Sequence, residues 1–220
     1  MEVEKFLVVG LGNPGDRYLR TWHNLGFMAL EVLSQIYGIE PKRAKFRGLY
    51  EKLSLAKGEA HAKRLRREIP NVGRRGLPPQ PEREIIFLKP MTYMNLSGES
   101  VAAAARFFKI PPERILVFYD DVDIPLGEIR IRSRGSAGTH NGMRSVVCQL
   151  HSQDFPRIRI GCGPQPEQCD IVDFVLEQIP KSAQGRCFES LELASTAARL
   201  CFYDGADFAQ NYINTLLQKK

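Results

Sequence analysis

The chain has 220 residues, 43% of them hydrophobic, and 31 basic against 25 acidic side chains give a formal charge of +6. That length suits one soluble domain with a substantial core, and no apolar run approaches the ~20 residues of a bilayer span, which excludes a membrane helix. The acidic start Met1-Glu2-Val3-Glu4-Lys5 lacks the pattern of a secretory signal, so the expected compartment is the cytoplasm.

In chain order, Lys5-Phe6-Leu7-Val8-Val9 reads as a short buried strand that ends in the turn Gly10-Leu11-Gly12-Asn13-Pro14-Gly15. Beyond Tyr18, the stretch Thr21-Trp22-His23-Asn24-Leu25-Gly26 opens a helix with Thr21 as N-cap. Leu25, Met28, Ala29, Val32, Leu33 and Ile36 mark its apolar face, and Gly38 its stop. This places His23 in a first helical turn, where the positive helix end disfavours imidazolium. Residues 57–83 break the pattern with four prolines, and residues 61–84 carry seven basic side chains against three acidic ones. The segment reads as a flexible basic surface insertion, either a solvated loop or an auxiliary contact for phosphates.

Further strands are expected at Ile85 to Leu88, Ile115 to Tyr119 and Arg157 to Cys162, with amphipathic alternation at Glu128-Ile129-Arg130-Ile131-Arg132. Helices are expected from Ser97, as a cap, through Phe107, from Ser182 to about Tyr203, and over Ala206 to Leu217. The fold class is therefore α/β, a single-domain three-layer sandwich over residues 1–220 with a mixed, mostly parallel twisted sheet flanked by helices. Five cysteines without CxxC spacing read as reduced packed thiols, and four histidines without metal-ligand spacing predict no metal site.

Polar residues cluster where packing alone would place apolar ones: Lys89-Pro90-Met91-Thr92-Tyr93-Met94-Asn95-Leu96-Ser97-Gly98, Tyr119-Asp120-Asp121-Val122-Asp123, and Gly135-Ser136-Ala137-Gly138-Thr139-His140-Asn141-Gly142. With the GLGNPG turn, Tyr18 and His23, these segments form four ordered motifs that resemble the bacterial-type peptidyl-tRNA hydrolase family. The resemblance covers nearly the whole chain from Phe6. It implies hydrolysis of the ester joining a peptide to the 3′ end of tRNA, with peptidyl-tRNA as partner, no cofactor, no membrane and a monomeric state. It further implies His23 as general base and Asp120 as the carboxylate that orients it. Asn13, Asn95 and Asn141 match the three site asparagines, Tyr18 and Met94 match residues near the substrate's end, and Arg130, Arg132 and Arg159 match a phosphate grip.

The chain departs from the family pattern at Trp22, where arginine is usual, and at Thr139, where glycine is usual. Trp22 has two open readings, stacking on a nucleotide or filling a surface depression. His140 reads as structural, while Asp121 and Asp123 cap or brace their turn. A GxSxG elbow is absent, so water is the expected nucleophile. The GxGxxG pattern at Gly10 to Gly15 fails as a dinucleotide fingerprint: Pro14 lacks an amide donor, and Gln35 stands in a helix where an acidic strand end is required. The other function class compatible with the resemblance is a non-catalytic RNA-binding or intron-splicing cofactor on the same fold.

Overall fold

A computed structural model describes residues 3–55 and 82–218. The expected basic insertion lies outside these residues except for Glu82 and Arg83; Arg83 belongs to a strand and pairs with Glu4 at 3.0 Å. Among the described residues seven strands, numbered in chain order, form one sheet in the order β2-β3-β4-β1-β5-β7-β6. They are β1 (Glu4–Gly10), β2 (Arg43–Lys45), β3 (Gly48–Leu55), β4 (Arg83–Pro90), β5 (Ile115–Pro125), β6 (Ile129–Arg132) and β7 (Arg157–Gly163). Strands β4, β1, β5 and β7 run parallel, while the β2–β3 hairpin and β6 add antiparallel edges.

The central strands carry apolar runs at Phe6 to Val9, Ile85 to Leu88 and Ile115 to Tyr119 because both faces are covered there, as parallel strands require. Val8, Phe87, Leu116 and Phe118 face the layer of α1 (Leu25–Ile36) and of two later helices, Gln184–Asp204 and Ala206–Leu217, whereas Leu7, Val9, Ile86 and Val117 face the opposite layer. That second layer is α2 (Ser97–Phe108) and α3 (Asn141–Leu150). Next come a short helix, α4 (Ile171–Leu176), then α5 (Gln184–Asp204) and α6 (Ala206–Leu217). Among the described residues no helix is long and apolar enough to cross a membrane.

Several local expectations are corrected. The β2–β3 hairpin was not expected: β2 is only Arg-Ala-Lys, and its two-residue turn is Phe46-Arg47, at φ 58° and 52°, instead of the Asn-Gly that such a turn favours. Packing imposes it. Phe46 is wedged among Tyr50, Phe107 and Phe108 at 5.2–5.4 Å between ring centres, and Arg47 pairs with Glu99. Thr21 does not cap with its side chain but donates Oγ1 to the Tyr18 carbonyl at 3.0 Å. Ser97 is the first residue of α2, and the capping position is Leu96.

At its other end, α2 closes on Lys109 in the left-handed region at φ 56°, with the Ile110 amide donating to the Ala105 carbonyl at 2.9 Å. A Cβ at such a position costs about 1–2 kcal/mol, which glycine avoids at an entropic cost of about 0.5–1. Lys109→Gly is therefore expected to stabilise the protein by up to about 1 kcal/mol, read from the midpoint of urea unfolding.

Candidate active site

The site lies outside the carboxyl ends of the parallel strands, where the chain order reverses across β1. Ligands bind at such a switch point in open α/β sheets because the loops diverge there. The loop after β1 brings Asn13, the loop after β4 brings Met94 and Asn95, and β5 runs past the end of its pairing with β1 to carry Asp120. Asp120 thus stands inside a strand, still paired with Ile160 of β7, and does not end one. The loop before α3 adds His140 and Asn141. Together these line a cleft of about 480 Å³.

Glycine lets His23 reach this position. A Cβ on Gly26 would stand 2.4 Å from the Phe118 carbonyl oxygen, and one on Gly10 2.2 Å from the Gly26 oxygen, so α1 begins directly against the backbones of β1 and β5. These glycines serve close packing and not a phosphate cradle. His23 itself sits in a 3-10 turn, Trp22–Asn24, just ahead of α1, and not in the first turn of that α-helix.

Asp120 is 2% exposed and accepts from two imidazoles. His23 Nδ1 lies 2.9 Å from Oδ2 and 3.1 Å from Oδ1, and His140 Nε2 lies 3.0 Å from Oδ1. Burial would push the Asp120 carboxyl up, but the charges and hydrogen bonds of the two histidines hold it well below the usual carboxylate range. An ionised Asp120 requires Nδ1–H on His23, leaving His23 Nε2 as a proton acceptor. For His140 the backbone decides the tautomer: Nδ1 accepts from the Met143 amide at 3.1 Å, so Nε2 carries the proton toward Asp120.

Burial would lower the His23 pKa, yet the Asp120 charge and hydrogen bond outweigh it and raise the pKa above its ordinary value. The opposing influence is desolvation, and the sequence-based appeal to a helix end is replaced by it. His23, Asp120 and His140 each place a potential metal-ligand atom within 4.8 Å of the others. In the tautomers just described, the two nitrogens facing Asp120 are N–H donors. A cation there would have to displace both protons.

The asparagines divide by their surroundings. Asn13 is buried: its backbone N–H donates to Asn24 Oδ1 at 2.8 Å, Asn24 Nδ2 returns a bond to the Asn13 carbonyl at 3.1 Å, and Asn13 Oδ1 accepts from the Met94 amide at 2.8 Å. With Oδ1 held by the Met94 amide, the side chain is oriented before any ligand arrives and its Nδ2 donors are available. Asn95 and Asn141 are exposed on the cleft's rim.

A family model described as "Peptidyl-tRNA hydrolase" matches residues 7–220. The chain belongs to the peptidyl-tRNA hydrolase family. It is 41% identical over 212 residues to the peptidyl-tRNA hydrolase of Chloroflexus aggregans, covering 96% of this chain and 100% of that one. The enzyme of Alkaliphilus metalliredigens is 41% identical over 209 residues, covering 95% and 99%. A crystal structure of the Acinetobacter baumannii peptidyl-tRNA hydrolase superposes with a TM-score of 0.77 at 31% identity, covering 97% of each chain. The enzyme class, hydrolysis of peptidyl-tRNA, follows from these matches.

Of the residues expected in a peptidyl-tRNA hydrolase site, the structure gathers His23, Asp120, Asn13, Met94, Asn95, Asn141, Arg132 and Arg159 around the cleft. Tyr18 and Arg130 do not line it. Tyr18 is half-buried beside it with its hydroxyl accepting from the Arg17 guanidinium, and Arg130 lies on β6 directly across from Arg159. Arg159 donates to Asp121 at 2.6 Å, which answers what Asp121 braces.

Two residues escaped the sequence reading. Asn24 holds Asn13, and its position within the Thr-Trp-His-Asn run was the signal available. His140, taken as structural, makes the second bond to Asp120, and its place beside Asn141 was the corresponding hint. The open question over Trp22 closes toward packing: it is buried against Phe174.

Proposed function

We propose that this chain hydrolyses the ester between a peptide and the 3′ end of tRNA with His23 as general base, Asp120 as its orienting carboxylate and water as nucleophile, without a metal. The observation that carries this reading is the His23 Nδ1 to Asp120 Oδ2 bond of 2.9 Å at the wall of the cleft, which leaves Nε2 as the acceptor. In the step proposed, Nε2 takes a proton from water as its oxygen bonds to the ester carbon. The tetrahedral oxyanion collapses, the bond to the ribose 3′ oxygen breaks, and that oxygen takes the proton from His23. The products are a peptide acid and tRNA with a free 3′ hydroxyl.

Asn13 Nδ2 is the donor best prepared for the oxyanion, because its partner oxygen is already tied to the Met94 amide and the group is fixed before substrate arrives. Asn95 and Asn141, exposed on the rim, are placed to bind the peptide backbone and the terminal nucleotide, with Met94 beneath them.

Support for a phosphate grip comes from cross-strand pairing. Arg130 stands opposite Arg159, and Arg132 opposite Arg157, so like charges face each other on one side of the β6–β7 pair. Like charges in that arrangement are unfavourable unless an anion or carboxylate intervenes. Asp121 compensates Arg159, while Arg132 remains exposed at the cleft. Arg132→Ala is expected to weaken tRNA binding for all tRNA sequences and to lower the slope of log affinity on log salt by about 1. An unchanged slope in filter-binding titrations would remove Arg132 from the grip.

The direct test of the proposed activity is hydrolysis of N-acetyl-aminoacyl-tRNA against free aminoacyl-tRNA, with a chelator control. Release of the N-blocked amino acid in both the presence and absence of chelator is expected; an intact N-blocked substrate would refute the reading.

A further inference from the structure

Helix α4 forms one wall of the cleft through Ile171, Val172, Val175 and Leu176. With only six residues it has little stability of its own. The chain before His23 holds it in place. Trp22 stacks on Phe174 with ring centres 6.0 Å apart and planes 27° apart, and both rings are buried. The backbones are also joined: the Ile179 amide donates to the Arg20 carbonyl at 2.8 Å, Trp22 donates to Glu177 at 3.3 Å, and Gln178 Nε2 donates to the Arg17 carbonyl at 2.8 Å. Thr21 and Gln178 form an antiparallel bridge. The proposed base, the next residue after Trp22, is therefore on the same rigid unit as the wall.

Val172 is 51% exposed and Leu176 36%, and both face a cleft whose other lining is rich in charge, including Asp121, Asp123, Arg132 and Arg134. Exposed aliphatic side chains inside a polar cleft, held there by buried aromatics, mark a place where an apolar group is received. Water contacts them in the free protein, and an apolar substrate group would release it.

We infer that Trp22 and Phe174 latch α4 beside His23 so that Val172 and Leu176 receive the side chain of the amino acid whose ester is attacked, giving this enzyme a preference for apolar residues there. The inference rests on the proposed ester hydrolysis at His23. Trp22 and Phe174 are positioning residues in it, since neither touches the substrate. The wall is permanent because its latch is part of the folded core. Val172 stays half open to solvent, so the preference is modest, about 5- to 10-fold, no more than the lower end of the range of ~10- to 200-fold that a closed pocket gives for a single methylene.

The test compares kcat/KM for N-acetyl-leucyl and N-acetyl-glycyl esters carried on the same tRNA body. The unaltered chain is expected to favour the leucyl ester by about 5- to 10-fold. Val172→Ser and Phe174→Ala are expected to bring the ratio below about 2 by raising KM for the leucyl ester while its kcat is retained. Trp22→Phe, which keeps an aromatic face on Phe174, is expected to retain the preference. Val172 is on the surface, so its variant decides the matter even if Phe174→Ala fails to fold. Equal rates on the two esters, or a ratio unmoved by Val172→Ser, would overturn the inference and leave ester hydrolysis standing. Failure on both esters would refute the hydrolysis reading, and this inference with it.

Discussion

His23→Ala is expected to lower kcat for N-acetyl-aminoacyl-tRNA by about 100- to 10,000-fold, the range over which a positioned general base contributes. Binding of tRNA is expected to persist, because the arginines of β6 and β7 and the rim asparagines do not depend on the imidazole. Stability should fall, since a largely buried side chain and one of the two partners of buried Asp120 are removed, but His140 still bonds Asp120 and the fold is expected to hold. Single-turnover rates and filter binding on the same preparation separate the two effects. A non-catalytic RNA-binding protein on this fold would show no turnover to lose, so the measurement also discriminates between the function classes that the sequence left open.

Asp120→Asn is expected to lower kcat by about 10²- to 10⁴-fold, because an amide no longer fixes the tautomer that frees His23 Nε2 or stabilises the imidazolium formed on it. It should also move the pH profile in a defined direction. His23 acts as a base only when neutral, so in the unaltered chain the rate rises with pH through a raised His23 pKa. Removing the carboxylate leaves burial as the dominant influence, and burial lowers that pKa. The residual activity of Asp120→Asn should therefore reach its plateau at a lower pH than the unaltered chain. A shift the other way would show that Asp120 does not set the charge state of His23.

The same pair links to stability, with signs that follow from the shifts. His23 has a raised folded pKa, so its contribution is full below its unfolded value and is lost as pH rises through the folded one. Asp120 has a depressed folded pKa, so its contribution is present above its unfolded value and fades as pH falls toward the folded one. These are two views of one interaction, and their energies are not summed.

Much of the architecture was legible because parallel strands covered on both faces carry continuous apolar runs, as β1, β4 and β5 do, while β7 shows itself by alternating arginine and isoleucine. Helix α6 was read at its observed limits, Ala206–Leu217. The β2–β3 hairpin was not legible: a three-residue polar strand and a Phe-Arg turn carry no local signal, and the turn exists because Phe46 packs against α2 and β3. The short helix α4 was missed for a related reason, being held by Trp22 from far along the chain.

By itself the sequence determined the sheet's core strands, the order of the four polar motifs, and thus the residues His23, Asn13, Asn95, Asp120 and Asn141 as one constellation. That grouping rests on the family the four motifs resemble, since residue types and spacing alone do not bring separate segments together. Only the tertiary structure decided the relations among them: which ring nitrogen of His23 is free, that His140 shares Asp120, that the Met94 amide holds Asn13 Oδ1, and that Trp22 packs inward. These depend on contacts between separate segments, 97 positions apart for His23 and Asp120 and 152 for Trp22 and Phe174. Hydrogen-bond direction and burial arise only when distant segments meet, so no local pattern encodes them.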